Sequence, residues 1–105
     1  MAMILEWSEH ALTTLDEIYH YLKEEAGKRT ARKIIDNIYN HSGILIQNPK
    51  AGTREELLSD LPQEFRYLVE GNYKILYFIV DEKIYISSVF DCRQNPERMK
   101  NEIIK

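Results

Sequence analysis

The sequence predicts an α+β domain with an N-terminal strand, an antiparallel helical hairpin, a three-stranded antiparallel meander and a short C-terminal helix or tail. Two observations predict this fold. Two amphipathic helical patterns follow each other in the first half of the chain, and three runs rich in Tyr, Ile, Val and Phe follow each other in the second half. Helices and strands segregated along a chain in this way are typical of α+β domains.

The composition fits one domain over residues 1–105. The chain is 44% hydrophobic and 30% charged, which is ordinary globular usage, and a chain of 105 residues can bury enough surface to fold without a disulfide or a metal. The single cysteine, Cys92, fits a reducing compartment. No apolar run approaches the roughly 20 residues of a membrane helix. We therefore expect a cytoplasmic protein that needs no membrane and no cofactor.

The net charge of −3 argues against a protein that binds nucleic acid through broad phosphate neutralisation. Residues 1–61 carry seven Lys or Arg against ten Asp or Glu, and residues 62–105 carry seven against seven. Neither half is a basic platform. Nucleic acid remains a partner only through a focused basic patch.

Residues 3–7 form a short apolar run that predicts the opening strand, and Ser8 follows where a helix N-cap belongs. The pattern over residues 9–26 predicts an amphipathic helix, with Gly27 as its C-terminal cap. Its apolar stripe consists of Ala11, Leu15, Ile18, Leu22 and Ala26.

A second helix is predicted over residues 29–47, and Asn48 with Pro49 ends it, while Gly43 weakens its last turn. The short loop between the helices predicts an antiparallel hairpin. Residues 49–62 are predicted as an irregular connector able to form one helical turn at residues 55–58. The segment after Pro96 predicts a short terminal helix.

The meander is predicted from two tight turns, Gly71-Asn72 and Asp81-Glu82, which separate the apolar runs. With two-residue loops, Arg66 faces Tyr77 across the first hairpin, and Tyr73 faces Phe90 across the second. One face then carries Arg66, Leu68, Tyr73, Ile75, Tyr77, Ile79, Ile84, Ile86, Ser88 and Phe90. The other face carries Tyr67, Val69, Lys74, Leu76, Phe78, Tyr85, Ser87, Val89 and Asp91.

The face with four isoleucines is predicted to pack against the helices. The other face is also too apolar for water, so we expect a partner or the chain's tail to cover it. On this register Lys74 and Asp91 point away from the helices, and Arg93 lies at the rim. A β-bulge in either hairpin would exchange these assignments, and the sequence leaves that alternative open.

Three cations are the candidate functional residues. Lys74 is unusual on a central strand among apolar residues, and Arg93 follows a strand end, where it can contact a partner. Arg66 is equally well explained as a structural residue stacked on Tyr77.

Further candidates for contacting a target or partner are Tyr73, Asp91 and Gln94. For Asp91 and Gln94, ordering of the loop by local hydrogen bonds is the simpler interpretation.

Other reactive side chains have simpler explanations. No histidine is predicted near Cys92 to activate it as a nucleophile. His20 has the helical i, i+4 spacing of a surface metal clip with Asp16 and Glu24, but solvated pairs are commoner, and we predict no metal site.

Several of these residues recur in motifs of a known family. They are R-x-x-x-x-G-x-Y-K-x-x-Y at residues 66–77, V-F-D-x-R-Q-N-P at residues 89–96 and N-P-x-x-G at residues 48–52, after an opening strand that ends in Trp7-Ser8. In their order and spacing they resemble the RelE/ParE superfamily of toxins from type II toxin-antitoxin, or plasmid-stabilisation, systems. The resemblance covers nearly the whole chain. It implies a toxin held inactive by a cognate antitoxin.

The two branches of that superfamily imply different targets. RelE-like members are mRNA interferases that cut messenger RNA on the ribosome, and ParE-like members poison DNA gyrase without being nucleases. In a RelE-like enzyme, Lys74, Arg93 and Arg66 would be the catalytic cations. The terminal segment carries no Tyr or His, the usual RelE-like acid or base, and all three histidines lie on the predicted helices. We therefore favour the ParE-like branch. A degenerate binding module without toxicity is the third alternative.

Overall fold

The computed structural model of the chain describes residues 3–93. The elements are β1 (Ile4–Trp7), α1 (Glu9–Ala26), α2 (Lys28–Ser42), a 3₁₀ turn (Gly43–Ile46), β2 (Thr53–Arg54), a second 3₁₀ turn (Glu56–Leu58), β3 (Arg66–Glu70), β4 (Tyr73–Val80) and β5 (Lys83–Asp91). The predicted terminal helix and Gln94 lie outside the described residues. Neither described α-helix is long and apolar enough to cross a membrane.

The strands form one mixed sheet in the order β1-β5-β4-β3-β2. Strand β1 runs parallel to β5, and the other neighbours are antiparallel. The α+β class, the helical hairpin and the three-stranded meander are confirmed. The connector is largely irregular and contains the predicted helical turn, as a 3₁₀ turn, but the prediction missed β2, in which Thr53 and Arg54 pair with Tyr67 and Arg66 of β3. Two residues are too few to show a period-two pattern in a sequence.

The predicted caps of α1 are both present. The Ser8 hydroxyl accepts a hydrogen bond from the Ala11 amide at 3.0 Å, and it donates one to the Ser87 carbonyl at 3.1 Å. Gly27 ends the helix with φ of 92°, and its amide donates to the Lys23 carbonyl at 3.1 Å. Ser8 therefore both starts α1 and ties it to β5.

Helix α2 ends as an α-helix five residues earlier than the pattern predicted. After Ser42 the chain tightens into the 3₁₀ turn that begins at Gly43. The apolar stripe nevertheless continues inward, since Leu45 is fully buried. The weak point expected at Gly43 is thus the place where the helix type changes.

The helices cover one face of the sheet. The buried core on this side consists of Ala11, Leu15, Ile38, Leu45, Leu68, Tyr73, Ile75, Tyr77, Ile84, Ile86 and Val89. Ile75, Ile84 and Ile86 are fully buried there, and Ile79 packs at the margin. The isoleucine-rich face was therefore correctly assigned to the helices.

A β-bulge in the second hairpin changes the predicted faces. Tyr77 pairs with Ile86 as expected, but Leu76 pairs with Ser88, so Ser87 is the extra residue of β5. Beyond the bulge every β5 side chain changes face relative to the unbulged register. Ser88 and Phe90 therefore lie on the face opposite the helices, and Val89 and Asp91 on the helix face. The predicted Tyr73 to Phe90 pairing is wrong, because Tyr73 lies opposite Asp91.

The second face of the sheet is covered by the connector, which had not been expected to reach it. We call residues 55–65 the strap. Its Leu58 is fully buried and its Phe65 is 5% exposed, and both pack with Leu76 and Phe90 in a second core cluster. At the base of the strap the Glu55 amide donates to the Phe65 carbonyl at 2.8 Å. The central strand is thus buried on both sides.

Tyr77 anchors the start of the connector to the sheet. Its side chain is fully buried, and its hydroxyl donates to the Pro49 carbonyl at 2.7 Å and accepts from the Gly52 amide at 2.9 Å. A Cβ added to Gly52 would lie 2.7 Å from the Tyr67 carbonyl oxygen and equally close to the Tyr77 ring and hydroxyl. The glycine of the N-P-x-x-G motif is therefore required by close packing.

We expect Gly52→Ala to destabilise the protein by about 1–3 kcal/mol, because the added methyl group overlaps backbone and a buried ring. Gly43→Ala is the matched control, since a Cβ there meets nothing within 4 Å and the backbone is helical. That control should raise the free energy of unfolding by about 0.4–1 kcal/mol. Urea denaturation measures both, and equal effects of the two substitutions would contradict the packing argument.

Candidate functional site

Three residues lie side by side across the end of the sheet near the first turn. Glu70 of β3 pairs with Tyr73 of β4, and Tyr73 pairs with Asp91 of β5. Directly opposed residues share a face, so all three side chains lie on the helix face. We call them the sheet-end row. Tyr73, in its centre, is only 4% exposed.

Asp91 is bound by Arg93, two residues further along the chain. Its Oδ1 accepts from the Arg93 amide at 2.9 Å and from Nε at 3.0 Å, and its Oδ2 accepts from Nη2 at 2.8 Å. These hydrogen bonds lower the pKa of the Asp91 carboxyl and raise the pKa of Arg93. The Arg93 side chain is still 54% exposed, so the fork is held in place while part of it faces solvent.

Tyr73 is a neutral phenol. Its burial raises the pKa of the Tyr73 hydroxyl, Asp91 raises it further, and Arg93 opposes both. The hydroxyl of Tyr21, on α1, is close enough to add to the same upward shift. At neutral pH Tyr73 can therefore act as a proton donor, and it is not a base.

Glu70, at the end of the sheet-end row opposite Asp91, contacts helix α2. His41 Nδ1, on α2, lies 3.0 Å from Glu70 Oε1, and each side chain is about 30% exposed, at 29% and 32%. The pair joins the helical layer to β3. It places the imidazole next to the strand position that faces Tyr73.

Lys74 lies on the opposite face, under the strap. Its Nζ is 3.1 Å from Glu55 Oε2 and 4.2 Å from the centre of the Tyr67 ring. The Glu55 side chain is 5% exposed and that of Lys74 is 24% exposed. Glu55 also accepts a hydrogen bond from the Leu57 amide at 3.3 Å. The charge of Lys74, which looked unusual on an apolar strand, is thus paired with a buried carboxylate and lies over an aromatic ring.

Arg66 holds the connector. Its Nη1 donates to the Gly52 carbonyl at 2.8 Å, while Nε and Nη2 contact Glu64 at 3.0 and 2.9 Å. Only 17% of the side chain is exposed. These contacts favour the structural interpretation of Arg66. Its partners are the Gly52 carbonyl and the Glu64 carboxylate.

The chemistry of the three predicted cations follows from these placements. RNA cleavage requires a base, an acid and cations gathered around one phosphate. Arg66, Lys74 and Arg93 instead lie at three separate places, and each is already bound to a carboxylate. The geometry of the described residues offers no joint cationic centre.

The pair of His20 and Asp16 and the thiol of Cys92 have ordinary surroundings in the structure. His20 Nε2 lies 3.5 Å from Asp16 Oδ2, and both side chains are more than 60% exposed, at 62% and 69%. Within residues 3–93 no three metal-ligating side chains come together. Cys92 is exposed, and partial loss of solvation raises the pKa of its thiol although Lys74 opposes the shift, so the group is a thiol at neutral pH.

The comparisons with known proteins agree with this architecture. Residues 5–96 match the family described as the ParE toxin of the type II toxin-antitoxin system, parDE. The chain belongs to the ParE toxin family. A solved chain from the chromosomal ParDE TA system of P. aeruginosa has the same fold, with a TM-score of 0.73 and 23% identity over 86% of this chain and 96% of that one. The comparison with curated proteins found no match.

In the structure, the residues predicted to contact a target or an antitoxin divide into two groups. Tyr73, Asp91 and Arg93 lie together at the end of the sheet, and Asp91 was wrongly placed on the Lys74 face because of the bulge. Lys74 lies apart from them, under the strap. Gln94 is outside the described residues. That these residues bind a target or an antitoxin stays a prediction.

Sequence reasoning missed Glu55, Glu70 and His41. Glu55 lies in a connector whose path no local pattern specifies, so nothing in the sequence indicated that it would be buried against Lys74. Glu70 and His41 come from different elements, and only tertiary packing brings them together. The one available signal was the register of the first hairpin, which already placed Glu70 opposite Tyr73.

We expect Asp91→Asn to destabilise the protein at pH 7 and to lose this effect in acid. The folded-state pKa of Asp91 lies below its ordinary value of 3.8, so the ionised carboxylate stabilises the fold above that pH. The stabilisation is lost as the pH falls through the folded-state pKa. Urea midpoints at pH 7 and in strong acid measure the difference between wild type and variant.

The control for that experiment is Asp16→Asn, which removes the same charge from an exposed site on α1. It should shift the midpoint little at pH 7. A gap between wild type and Asp91→Asn that stayed constant down to strong acid would contradict the role of the ionised Asp91.

The pair of Lys74 and Glu55 should show coupling in a double-mutant cycle. Lys74→Met leaves the buried Glu55 carboxylate unpaired and should cost about 1–3 kcal/mol. Glu55→Gln should cost less, because Lys74 keeps the Tyr67 ring and some water. The double variant should be more stable than the sum of the single effects predicts, and urea unfolding of the four proteins measures this. Additivity within about 0.5 kcal/mol would mean that the pair does not hold the strap.

Proposed function

We propose that this protein is a toxin that inhibits DNA gyrase and is neutralised by a cognate antitoxin. The observation that carries the proposal is the pairing of Arg66, Lys74 and Arg93 with carboxylates at three separate places. A carboxylate beside each cation opposes the stabilisation of a developing phosphate charge, which a ribonuclease needs. Membership of the ParE toxin family supports the same choice of branch.

Two observations support a cognate antitoxin as the partner. One is the structural relative, and the other is the exposed end of the sheet. The relative is a chain of a ParDE toxin-antitoxin system. In this chain Arg93 offers a preorganised guanidinium that is half-exposed, beside Tyr21, which is 54% exposed. Arg and Tyr side chains of this kind are common anchors of protein interfaces. We expect the antitoxin or the target to contact Arg93.

One arrangement favours the alternative, ribosome-dependent cleavage of messenger RNA. The neutral Tyr73 hydroxyl can donate a proton, and the Arg93 guanidinium lies close enough to lower the pKa of that hydroxyl. These two residues could serve as an acid and a cation. The alternative is therefore tested together with the proposal.

The test is expression of the chain without an antitoxin, combined with a gyrase supercoiling assay on the purified protein. We expect growth arrest with DNA-damage signalling, inhibition of supercoiling and intact messenger RNA. Arg93→Ala should weaken inhibition by tenfold or more if the residue contacts gyrase, on the order of a single interface anchor. Lys83→Ala, which removes an exposed cation at the start of β5, is the control and should leave inhibition unchanged.

Rapid ribosome-dependent cleavage of transcripts would refute gyrase inhibition and favour the ribonuclease. In that case Tyr73→Phe with Arg93→Ala should abolish cleavage in a protein that remains folded. No effect on growth, together with tight binding of a small partner protein, would instead indicate a binding module without toxicity.

A further inference from the structure

The first two turns of α2 carry four cations on the protein surface. Lys28, Arg29, Arg32 and Lys33 are all exposed, and we call them the α2 basic stripe. Their spacing of i, i+1, i+4 and i+5 places two pairs on one side of successive helical turns. None of the four makes an ion pair with a carboxylate among residues 3–93. They are a concentrated positive region on a chain whose net charge is −3.

The stripe does not help α2 to form. Cations are unfavourable at the positive end of a helix, and like charges at i and i+4 repel each other. The first turn contains no acidic residue, and its N-cap, Gly27, provides no side-chain hydrogen bond. Within α2 only Asp36, one turn after Arg32 and Lys33, is spaced to offset this repulsion. One carboxylate against four cations leaves the stripe undercompensated, and an external anion would relieve both the repulsion between the cations and their unfavourable position at the helix N-terminus.

The surroundings of the stripe indicate which kind of anion fits. The four cations line an open depression of about 650 Å³ together with Asp36 and Asn37, and no apolar residue lines it. Stable protein interfaces need a buried apolar core with aromatic anchors, and this depression offers none. Lys, Arg, Asn and helix N-terminal amides are the groups that contact nucleic-acid phosphates. One carboxylate, Asp36, reduces the local charge without removing it.

We propose that the α2 basic stripe binds the phosphate backbone of duplex DNA without sequence preference. The cations contact phosphates of one strand, and their ammonium and guanidinium groups displace condensed counterions. The negative charge of the rest of the chain keeps the affinity low and confines contact to this stripe. This inference goes beyond gyrase inhibition, because it requires only the protein and DNA.

The test is a fluorescence anisotropy titration of the full chain against a short labelled duplex of random sequence at several salt concentrations. We expect a Kd on the order of 10⁻⁴ M at physiological salt, at the weak end of the range for non-specific complexes, and tighter binding at lower salt. The logarithm of the binding constant should fall with the logarithm of salt with a slope of about −3 to −4, since each phosphate contact contributes about −0.9.

The informative variant is Lys28→Gln with Lys33→Gln. It removes two of the four cations, so the slope should become shallower by about 1.8. Lys50→Gln with Lys83→Gln is the matched control, because both lysines are exposed and the change in net charge is the same. The control should keep the wild-type slope. Circular dichroism of each variant establishes that the helices are retained.

Equal slopes for the two double variants would overturn the proposal, and so would the absence of duplex binding at low salt. A polyglutamate peptide that displaced the duplex at equal charge concentration would assign the stripe to an acidic protein segment and would also overturn it. The supercoiling assay is a separate readout. Duplex binding without gyrase inhibition would refute the proposed function and leave this inference standing.

Discussion

The central strand β4 must be buried on both faces, and the rest of the structure depends on this constraint. Ile75, Leu76 and Tyr77 are consecutive residues that point alternately to the two faces, and all three are fully buried. One face requires the helical hairpin and the other requires the strap. The connector between α2 and β3 is therefore a structural layer of the protein. It is attached to β4 twice, at Pro49 and Gly52 through Tyr77 and at Glu55 through Lys74.

The β-bulge at Ser87 decides which chemical groups meet. Without it, Asp91 would share a face with Lys74, and one cationic centre could form beside the turn. With it, Asp91 joins Tyr73 on the helix face, and Arg93 binds Asp91 there. A single extra residue thus separates the two cations that a nuclease would need together. The same displacement brings Phe90 under the strap, where it completes the second core cluster.

Most of the fold could be predicted because its signals are local. Both helices have periodic apolar stripes with start or stop residues at their ends, and both hairpins have two-residue turns, so the register next to each turn follows from the turn alone. The bulge could be named only as an alternative, because period-two apolar residues occupy both faces of β5 and fit either register. The path of the strap depends on contacts between distant residues, such as Leu58 with Phe90. The pairing of Lys74 with Glu55 follows from that path, so it could not be predicted from the sequence either.

The candidate site was predicted less well than the fold for the same physical reason. Its residues were correctly chosen as unusual, because Lys74 is a charge on a buried strand and Arg93 follows a strand end. Their partners were not visible, since a carboxylate two residues away, as in Asp91, and one nineteen residues away, as in Glu55, look alike in a sequence. Unusual charges identified positions under electrostatic constraint. Whether that constraint is structural or functional depends on tertiary neighbours.

The parallel pairing of β1 with β5 has a consequence for how the molecule assembles. Among the described residues the first strand pairs with the last, and the start of α1 is tied to β5 by the contact of Ser8 with Ser87, 79 residues away. During synthesis the helical hairpin emerges early, but α1 lacks the strand on which it mainly packs until β5 exists. Contacts of such long sequence separation form late and slow folding. A nascent chain therefore lacks the sheet-end row as well, and this surface arises only after Asp91 has been synthesised.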